Sequence, residues 1–324
     1  MFSGQAAIDF LALEAYKSDP EASSHWEMFT SDFRFTGEEF SGLGGLVGRD
    51  KPYSGLRLWL NKLLQKRFRN FGDAHAKFKE IDSHALALTK KQVRAYDLDV
   101  LRQALTLAFL KDKAPDKFNS SSTCCVIGDG LATMSSLLLL SNSAGRIVLV
   151  NLNKILLVDL WYLKLWMGES NFNASVDLVV DDEGLEEALS KTHNIANGLR
   201  QIIAIQAKNH QLIQKCPIDV AVNIASMQEM DPPVVKGYFD DMREIAVKRD
   251  LLFYCCNRDE KTLPDGTLSR FNDYPWQTGD KILVDEPCLW HQFYYSTRPP
   301  FYRPYDGSHR HRLVTIQSKE IPSS

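Results

Sequence analysis

The segment Thr123-Cys-Cys-Val-Ile-Gly-Asp-Gly-Leu-Ala-Thr133 constrains this chain more than any other. A short apolar run ends in Gly128-Asp129-Gly130, and a second apolar run, Met134 to Leu140, follows at once. The pattern predicts strand, tight turn, helix. Glycines let the backbone turn sharply and let a ligand approach it closely. The helix start behind them presents unpaired N–H groups. A further apolar run, Arg146-Ile-Val-Leu-Val150, ends at Asn151. That is about twenty residues on, where a nucleoside-binding sheet places the residue that holds ribose hydroxyls. Together these features predict a site for an adenosine-containing small molecule.

From Thr123 onward, strand-like and helix-like runs alternate. Strands are expected at 123–128, 146–151, 201–206, 219–224 and 250–256, with two more at 281–285 and 311–317. Helices are expected at 132–141, 154–167, 183–191, 208–214 and 232–248, with a short one at 194–199. Such alternation predicts an α/β fold, a mostly parallel sheet of seven strands with helices on both faces. Ligands of such sheets sit beyond the carboxyl ends of the strands.

Residues 1–96 read differently and are taken as an N-terminal helical cap, leaving 97–324 as the sheet domain. Ile8, Leu11, Ala15 and Tyr16 suggest a short amphipathic helix, and Leu56, Trp59, Leu60, Leu63, Leu64 and Phe68 recur at helical spacing. Asp97 is placed to cap a helix running to Leu110. Gly42-Leu-Gly-Gly-Leu-Val-Gly48 follows no clear strand and reads as a loop. Lys66-Arg-Phe-Arg69 reads as a helix end with a solvated face.

Composition narrows the partners. The chain has 324 residues, 44% of them hydrophobic, and a net charge of -3, so no basic bias points to nucleic acid. No apolar run reaches the roughly 18 residues of a membrane span. Met1 to Lys17 lacks a basic leader segment, and a cytoplasmic location is expected. Of six cysteines, four form the adjacent pairs Cys124-Cys125 and Cys255-Cys256, and no C-x-x-C occurs. Adjacent strand residues point to opposite faces, so reduced, buried thiols are expected. His309 and His311 share a strand face, but H-x-H alone is a weak metal signal, and no metal is expected.

The ordered motifs resemble those of class I S-adenosylmethionine-dependent methyltransferases. Among these the chain is similar to the sugar O-methyltransferases of bacterial polysaccharide and natural-product clusters. The resemblance rests on Val126-Ile-Gly-Asp-Gly130, Val150-Asn-Leu152, Asn223-Ile-Ala-Ser-Met-Gln-Glu-Met230, Phe253-Tyr-Cys-Cys-Asn-Arg258, Leu263-Pro-Asp-Gly266 and Asp273-Tyr-Pro-Trp276. Pro300-Phe301, Tyr305-Asp-Gly307 and His311-Arg-Leu313 complete it. It implies a Rossmann-like methyltransferase sheet, S-adenosylmethionine as cofactor, and methylation of a hydroxyl on a small acceptor. A sugar, a nucleotide sugar, a glycan or a similar polyhydroxylated molecule would serve, and a homodimer is compatible with the fold. The chain departs from its relatives at Asn151, where they carry an acid. An amide still bonds a hydroxyl, without the charge-assisted component.

On this reading the cofactor lies along Gly128, Asp129 and Gly130, with Asp129 toward the methionine ammonium. Asn151 faces the ribose, Gln206 and Ala207 the adenine, and Asn223, Ala225 and Ser226 the methionine portion. Glu229 binds an acceptor hydroxyl or takes its proton. His291 is a second candidate base, since imidazole titrates near neutrality. Asn257 and Arg258 end the fifth strand and orient the acceptor.

Two other classes share these signals. A nicotinamide-dependent oxidoreductase begins with the same strand, glycine turn and helix. Here Thr133 stands at the third glycine position and the acid at 151 is missing. A non-catalytic or partner subunit on a methyltransferase fold is the other.

Overall fold

A computed structural model describes residues 1–43, 52–191, 200–296 and 299–318. The N-terminal part comprises β1 (Phe2–Ser3), α1 (Gln5–Glu14), α2 (Ser24–Phe29), β2 (Arg34–Phe35), β3 (Phe40–Ser41), α3 (Gly55–Gly72), α4 (Phe78–Lys91) and α5 (Leu98–Lys113). The alternating part follows with β4 (Thr123–Ile127), α6 (Thr133–Leu140), β5 (Arg146–Asn151), α7 (Asn153–Met167), α8 (Glu169–Ser175), β6 (Val176–Val179), α9 (Asp182–Ser190), β7 (Gln201–Gln206), β8 (Val220–Ile224), α10 (Pro232–Ala246) and β9 (Leu251–Arg258). The last part holds β10 (Glu260–Thr262), β11 (Leu268–Arg270), β12 (Lys281–Pro287), β13 (Phe293–Tyr295), β14 (Tyr302–Pro304) and β15 (His309–Ile316).

Local chemistry sets the helix starts. The Asp97 carboxylate accepts the Val100 N–H at 3.0 Å and caps α5, and Asp181 caps α9 through Gly184 at 2.8 Å. Pro232 and Pro233 open α10, where a missing N–H costs nothing.

The main sheet has the order β1-β6-β7-β5-β4-β8-β9-β15-β12. The strands from β6 to β9 pair in parallel, whereas β1, β15 and β12 are antiparallel to their neighbours. This is the doubly wound, Rossmann-like α/β class read from the sequence. Strands β4, β5, β7 and β9 are apolar along most of their length because helices cover both faces. One face packs on α5, α6 and α7 through residues such as Leu101, Leu137 and Leu156; the other packs on α9 and α10 through Leu185, Tyr238 and Phe239.

The sheet has nine strands where seven were expected. The two additions, β1 and β6, pair with each other. β6 is short and carries Asp177 at its centre, which hides it from a hydrophobicity reading. That aspartate is buried but accepts hydrogen bonds from Ser3 Oγ at 2.6 Å and Lys191 Nζ at 2.8 Å. The region 207–215 is 3-10 rather than α-helical. The expected boundary at 96/97 is crossed by much of the structure: β1 joins the sheet, Ile8 and Leu11 of α1 share a core with Leu156 of α7, and Phe68 of α3 lies in the same cluster. Of the apolar residues spaced along α3, Leu64 and Phe68 are buried, whereas Leu56, Trp59 and Leu63 face outward. The glycine-rich stretch from 44 onward and the helix expected at 194–199 lie outside the described residues. Among the described residues, no helix is long and apolar enough to cross a membrane.

From β4 the chain winds first toward β5, then returns to β8 on the other side. The β4/β8 border is therefore the switch point, and its carboxyl end is where a crevice opens.

Candidate active site

A cavity of about 480 Å³ occupies that crevice, within the range of small-molecule sites. Gly128, Asp129, Gly130, Asn151, Ala207, Ala225, Ser226, Glu229, Arg258 and His291 line it. Residues from six separate segments thus meet in one place.

The loop after β4 is held open to a ligand by backbone geometry. Gly128 has φ 74°, and a Cβ built there would lie 2.0 Å from Ser226 Oγ. Only glycine leaves this space free. Ala132 and Ala225 also have positive φ, 48° and 57°. Both conformations are unusual for a residue with a Cβ, and both are tied down. The Ala132 N–H donates to Asp159 Oδ1 at 2.7 Å, and the Ala225 N–H donates to the Cys256 carbonyl at 2.7 Å.

Asp129 turns inward. Its Oδ1 and Oδ2 accept the Met134 and Ser135 N–H groups at 3.0 and 2.7 Å. The carboxylate therefore caps α6 and occupies the amides that the helix start would otherwise offer. Burial raises its pKa, and these amide bonds oppose the rise. Asn151 is engaged on both atoms, since Nδ2 donates to Asp159 Oδ2 at 2.8 Å and Oδ1 accepts the Leu152 N–H at 3.0 Å. One amide hydrogen and one lone pair remain for a ligand hydroxyl. The fully buried Asp159 thus pins the glycine loop and the end of β5 together. Burial pushes its carboxyl well above the ordinary range, and the nearby Asp129 adds to that.

Gln206, Asn223 and Asn257 stand behind the cavity wall rather than on it. Gln206 Nε2 donates to Asn153 Oδ1 at 2.6 Å. Asn223 Nδ2 donates to the Ile127 carbonyl at 2.9 Å, and its Oδ1 accepts from Met227 N–H and from Asn257 Nδ2. Asn257 Oδ1 accepts the Gln228 N–H at 3.1 Å, and Gln228 Oε1 accepts the Arg258 N–H at 2.7 Å. This amide ladder joins the ends of β4, β8 and β9. The run Asn223–Met230 is thus largely scaffolding, and it sets the path of Ser226 and Glu229.

Glu229 Oε1 accepts from Lys261 Nζ at 2.7 Å and lies 3.5 Å from His25 Nε2. Burial lowers the pKa of His25, Lys261 and Arg258 lower it further, and Glu229 opposes them. Arg258 and Arg102 each place a guanidinium about 5 Å from the Tyr305 ring centre. Next to this group is His291, buried, with Nε2 lacking a hydrogen-bond partner. Burial holds its pKa well below the ordinary imidazole value, and Arg102 reinforces the effect. It is a neutral imidazole at the cavity wall.

Sequence reading missed much of the opposite wall. His25, Trp26 and Phe29 of α2 line the cavity, as do Arg94, Asp97 and Asp99 before and at the start of α5, with Lys261 and Tyr305 from the last part. Arg94 is buried, donating to Thr133 Oγ1 at 2.7 Å and to Gln92 Oε1 at 2.8 Å. The Asp97 carboxyl is raised to about 6, by burial first and by Asp99 second. The one signal for α2 was its density of aromatics around a histidine, too apolar for a solvated helix.

No family model matches the chain, and no curated protein matches it. Solved structures resemble it weakly. One comes from work on the conversion of a disulfide bond into a thioacetal group during echinomycin biosynthesis. It is 10% identical over 66% of this chain and 82% of that one, with a TM-score of 0.40. The methyltransferase domain of bacterial CtHen1 is 13% identical over 68% of this chain and 100% of that one, with a TM-score of 0.37. An S-adenosylmethionine-dependent methyltransferase from Clostridium acetobutylicum is 13% identical over 65% and 90%, with a TM-score of 0.34. Likenesses this distant say nothing of substrate or activity, and the fold class stands on the strand order itself.

Proposed function

We propose that this chain is an S-adenosylmethionine-dependent methyltransferase acting on a hydroxyl of a sugar or similar polyhydroxylated small molecule. The observation that carries the reading is the cavity at the β4/β8 switch point. It unites a glycine cradle that a Cβ would fill with a wall of hydrogen-bonding and ionic groups.

The residues fit the cofactor. The backbone at Gly128 and Gly130 would meet the methionine portion, with Arg94 toward its carboxylate and Asp97 toward its ammonium. Asn151 has one donor and one acceptor left for the ribose. Ala207, Leu152 and Ile155 offer a flat apolar edge to the adenine. When bound, S-adenosylmethionine supplies a methyl group already activated on a sulfonium. The protein's task is then to orient the acceptor and remove its proton. Orientation accounts for about 7–11 kcal/mol in well-aligned systems. Glu229 takes the proton, held in place by Lys261. His291 is a poor proton acceptor in so unfavourable a setting for its charged form, and its free Nε2 receives the acceptor's hydrogen bond instead. Arg258 and Tyr305 shape the acceptor end.

A nicotinamide cofactor fits less well. Its pyrophosphate would need the helix-start amides, and the Asp129 carboxylate already holds them and would repel it. The deciding experiment is a thermal-shift titration with S-adenosylmethionine, S-adenosylhomocysteine and NAD in parallel. Ligands of the native state raise its stability. The first two should raise the melting temperature and NAD should not. Gly130→Val should abolish the shift. Stabilisation by NAD alone would overturn the reading.

A further inference from the structure

We propose that Cys256, Cys288 and His291 bind one soft divalent cation, zinc by the chemistry of the donors, at the wall of the cavity. The thiols and the imidazole place their ligand atoms within 4.8 Å of one another, and all three residues are buried. A tetrahedral zinc with thiolate and imidazole ligands spaces its donors roughly 3.5–3.8 Å apart, from bond lengths of about 2.3 and 2.0 Å. Modest closure of the side chains around the ion is enough.

The placement comes from the sheet. Cys256 lies on β9, on the same core face as Cys288, whereas its neighbour Cys255 points into the opposite core. Cys288 follows β12 directly, and its N–H donates to the His309 carbonyl at 2.8 Å, fixing it beside β15. His291 ends the single turn that comes next. Strand pairing in the order β9-β15-β12 therefore gathers donors that are 32 and 35 residues from Cys256 in the chain. No C-x-x-C spacing announces such a set.

Two observations point to a ligand rather than to inert packing. His291 Nε2 is buried without a hydrogen-bond partner, and such orphaned atoms are uncommon and costly. His291 also lines the cavity. Three protein ligands leave one tetrahedral position of a zinc unfilled, as in catalytic rather than closed structural zinc sites. Burial raises the Cys288 thiol well above its ordinary value, and Cys256 beside it adds to this, with Arg102 pulling the other way. Uptake of the ion displaces the thiol protons to solvent.

The test uses the full reduced chain, freed of metal by a chelator, and needs neither methyl donor nor acceptor. It therefore succeeds or fails independently of the methyl-transfer reading. Cobalt(II) is titrated in and the thiolate-to-cobalt charge-transfer band is followed, with zinc(II) as competitor. The expected result is a band that saturates at one equivalent and is erased by zinc. Cys256→Ser and Cys288→Ser should each weaken cobalt binding by more than about 100-fold, beyond the 10–100-fold typical of outer-shell partners. Cys255→Ser, the same change on the opposite face, should leave the band intact. Circular dichroism establishes that each variant is folded. Should a variant unfold, the wild-type chain still decides, since zinc must raise its melting temperature and His291→Ala must remove that rise. Absence of the band in the folded wild-type chain overturns the proposal, as does a wild-type band in the Cys256→Ser/Cys288→Ser double variant.

Discussion

Asn151 donates its side-chain amide to the carboxylate of Asp159 at 2.8 Å, beneath the glycine loop. β5 ends in an amide, and a carboxyl stands eight residues on. The pair decides how the site responds to a change at 151. From sequence alone, Asn151→Asp should place an acid where the ribose is expected. In the structure it sets two carboxyls against each other in a buried place. We expect the variant to lose about 1–3 kcal/mol of stability at neutral pH. At least one carboxyl of the pair then titrates above its unfolded value. The lost stability returns below the ordinary carboxyl range and disappears as the pH rises through the raised value. Urea melts at pH 5 and pH 8 should show the larger deficit at pH 8. The exchange variant Asn151→Asp/Asp159→Asn should recover most of the loss.

Gly128→Ala tests the cradle. The added methyl meets Ser226 Oγ at 2.0 Å on a backbone with φ 74°. The expected cost is about 1–3 kcal/mol for the left-handed conformation and the displaced serine, with loss of S-adenosylhomocysteine binding by calorimetry. Adding Ser226→Gly relieves the contact but not the backbone strain, so recovery should be partial.

Glu229→Gln keeps shape and hydrogen bonding but removes the proton acceptor. Once an acceptor is in hand, single-turnover transfer should slow by about 10²–10⁴-fold. S-adenosylhomocysteine affinity should be unchanged. A wild-type rate would remove Glu229 from proton transfer.

His309 makes a clear pH prediction. Burial, then Arg102 and Arg258, pull its imidazole from 6.5 down to about 3. Unfolding therefore takes up a proton across that interval. The residue's contribution is complete above 6.5 and is lost as the pH falls toward 3. His309→Phe keeps a ring against His291 and removes the titration. Its stability should fall less steeply with acid than that of the wild type, by up to about 1.4 kcal/mol per pH unit. Paired urea titrations between pH 7 and pH 4 would read the difference, and parallel curves would contradict it.

The ion pair of Arg243 with Asp280 clamps α10 to the segment before β12, with two bonds of 2.8 and 2.9 Å and both side chains buried. Asp280 also accepts the Gln277 and Gln317 N–H groups. Asp280→Asn leaves a buried guanidinium without its counter-ion, and a loss of about 3–5 kcal/mol is expected. Denaturant unfolding measures it directly.

The strands of the sheet were legible because burial on both faces demands continuous apolar runs, and β4, β5, β7 and β9 have them. β6 was not, because a buried aspartate interrupts it, and its partners Ser3 and Lys191 lie outside the strand in sequence. Ten of the expected site residues line one cavity, because a parallel sheet brings the ends of its strands together whatever the detailed packing. Residue type did not reveal which polar side chains face the cavity and which brace it. Asn223, Asn257 and Gln206 are as polar as Asn151, yet the first two hold strands to one another and Gln206 ties the end of β7 to Asn153 at the start of α7.

The local sequence thus determined the alternation of elements, the glycine turn and the end of the sheet at which a ligand sits. These follow from hydrophobic period and backbone sterics, which act over a few residues. Tertiary structure alone decided that α2 and the start of α5 close the cavity, that Asp129 caps its own helix, and that Asp159 stands under Asn151. It also decided that Cys256 meets Cys288 rather than Cys255. The closing of the cavity and the meeting of Cys256 with Cys288 depend on contacts between residues tens to hundreds of positions apart, whereas the Asp129 cap and the Asn151–Asp159 pair span only five to eight positions. In each case the free energy of the contact belongs to the pair, not to either residue's local sequence.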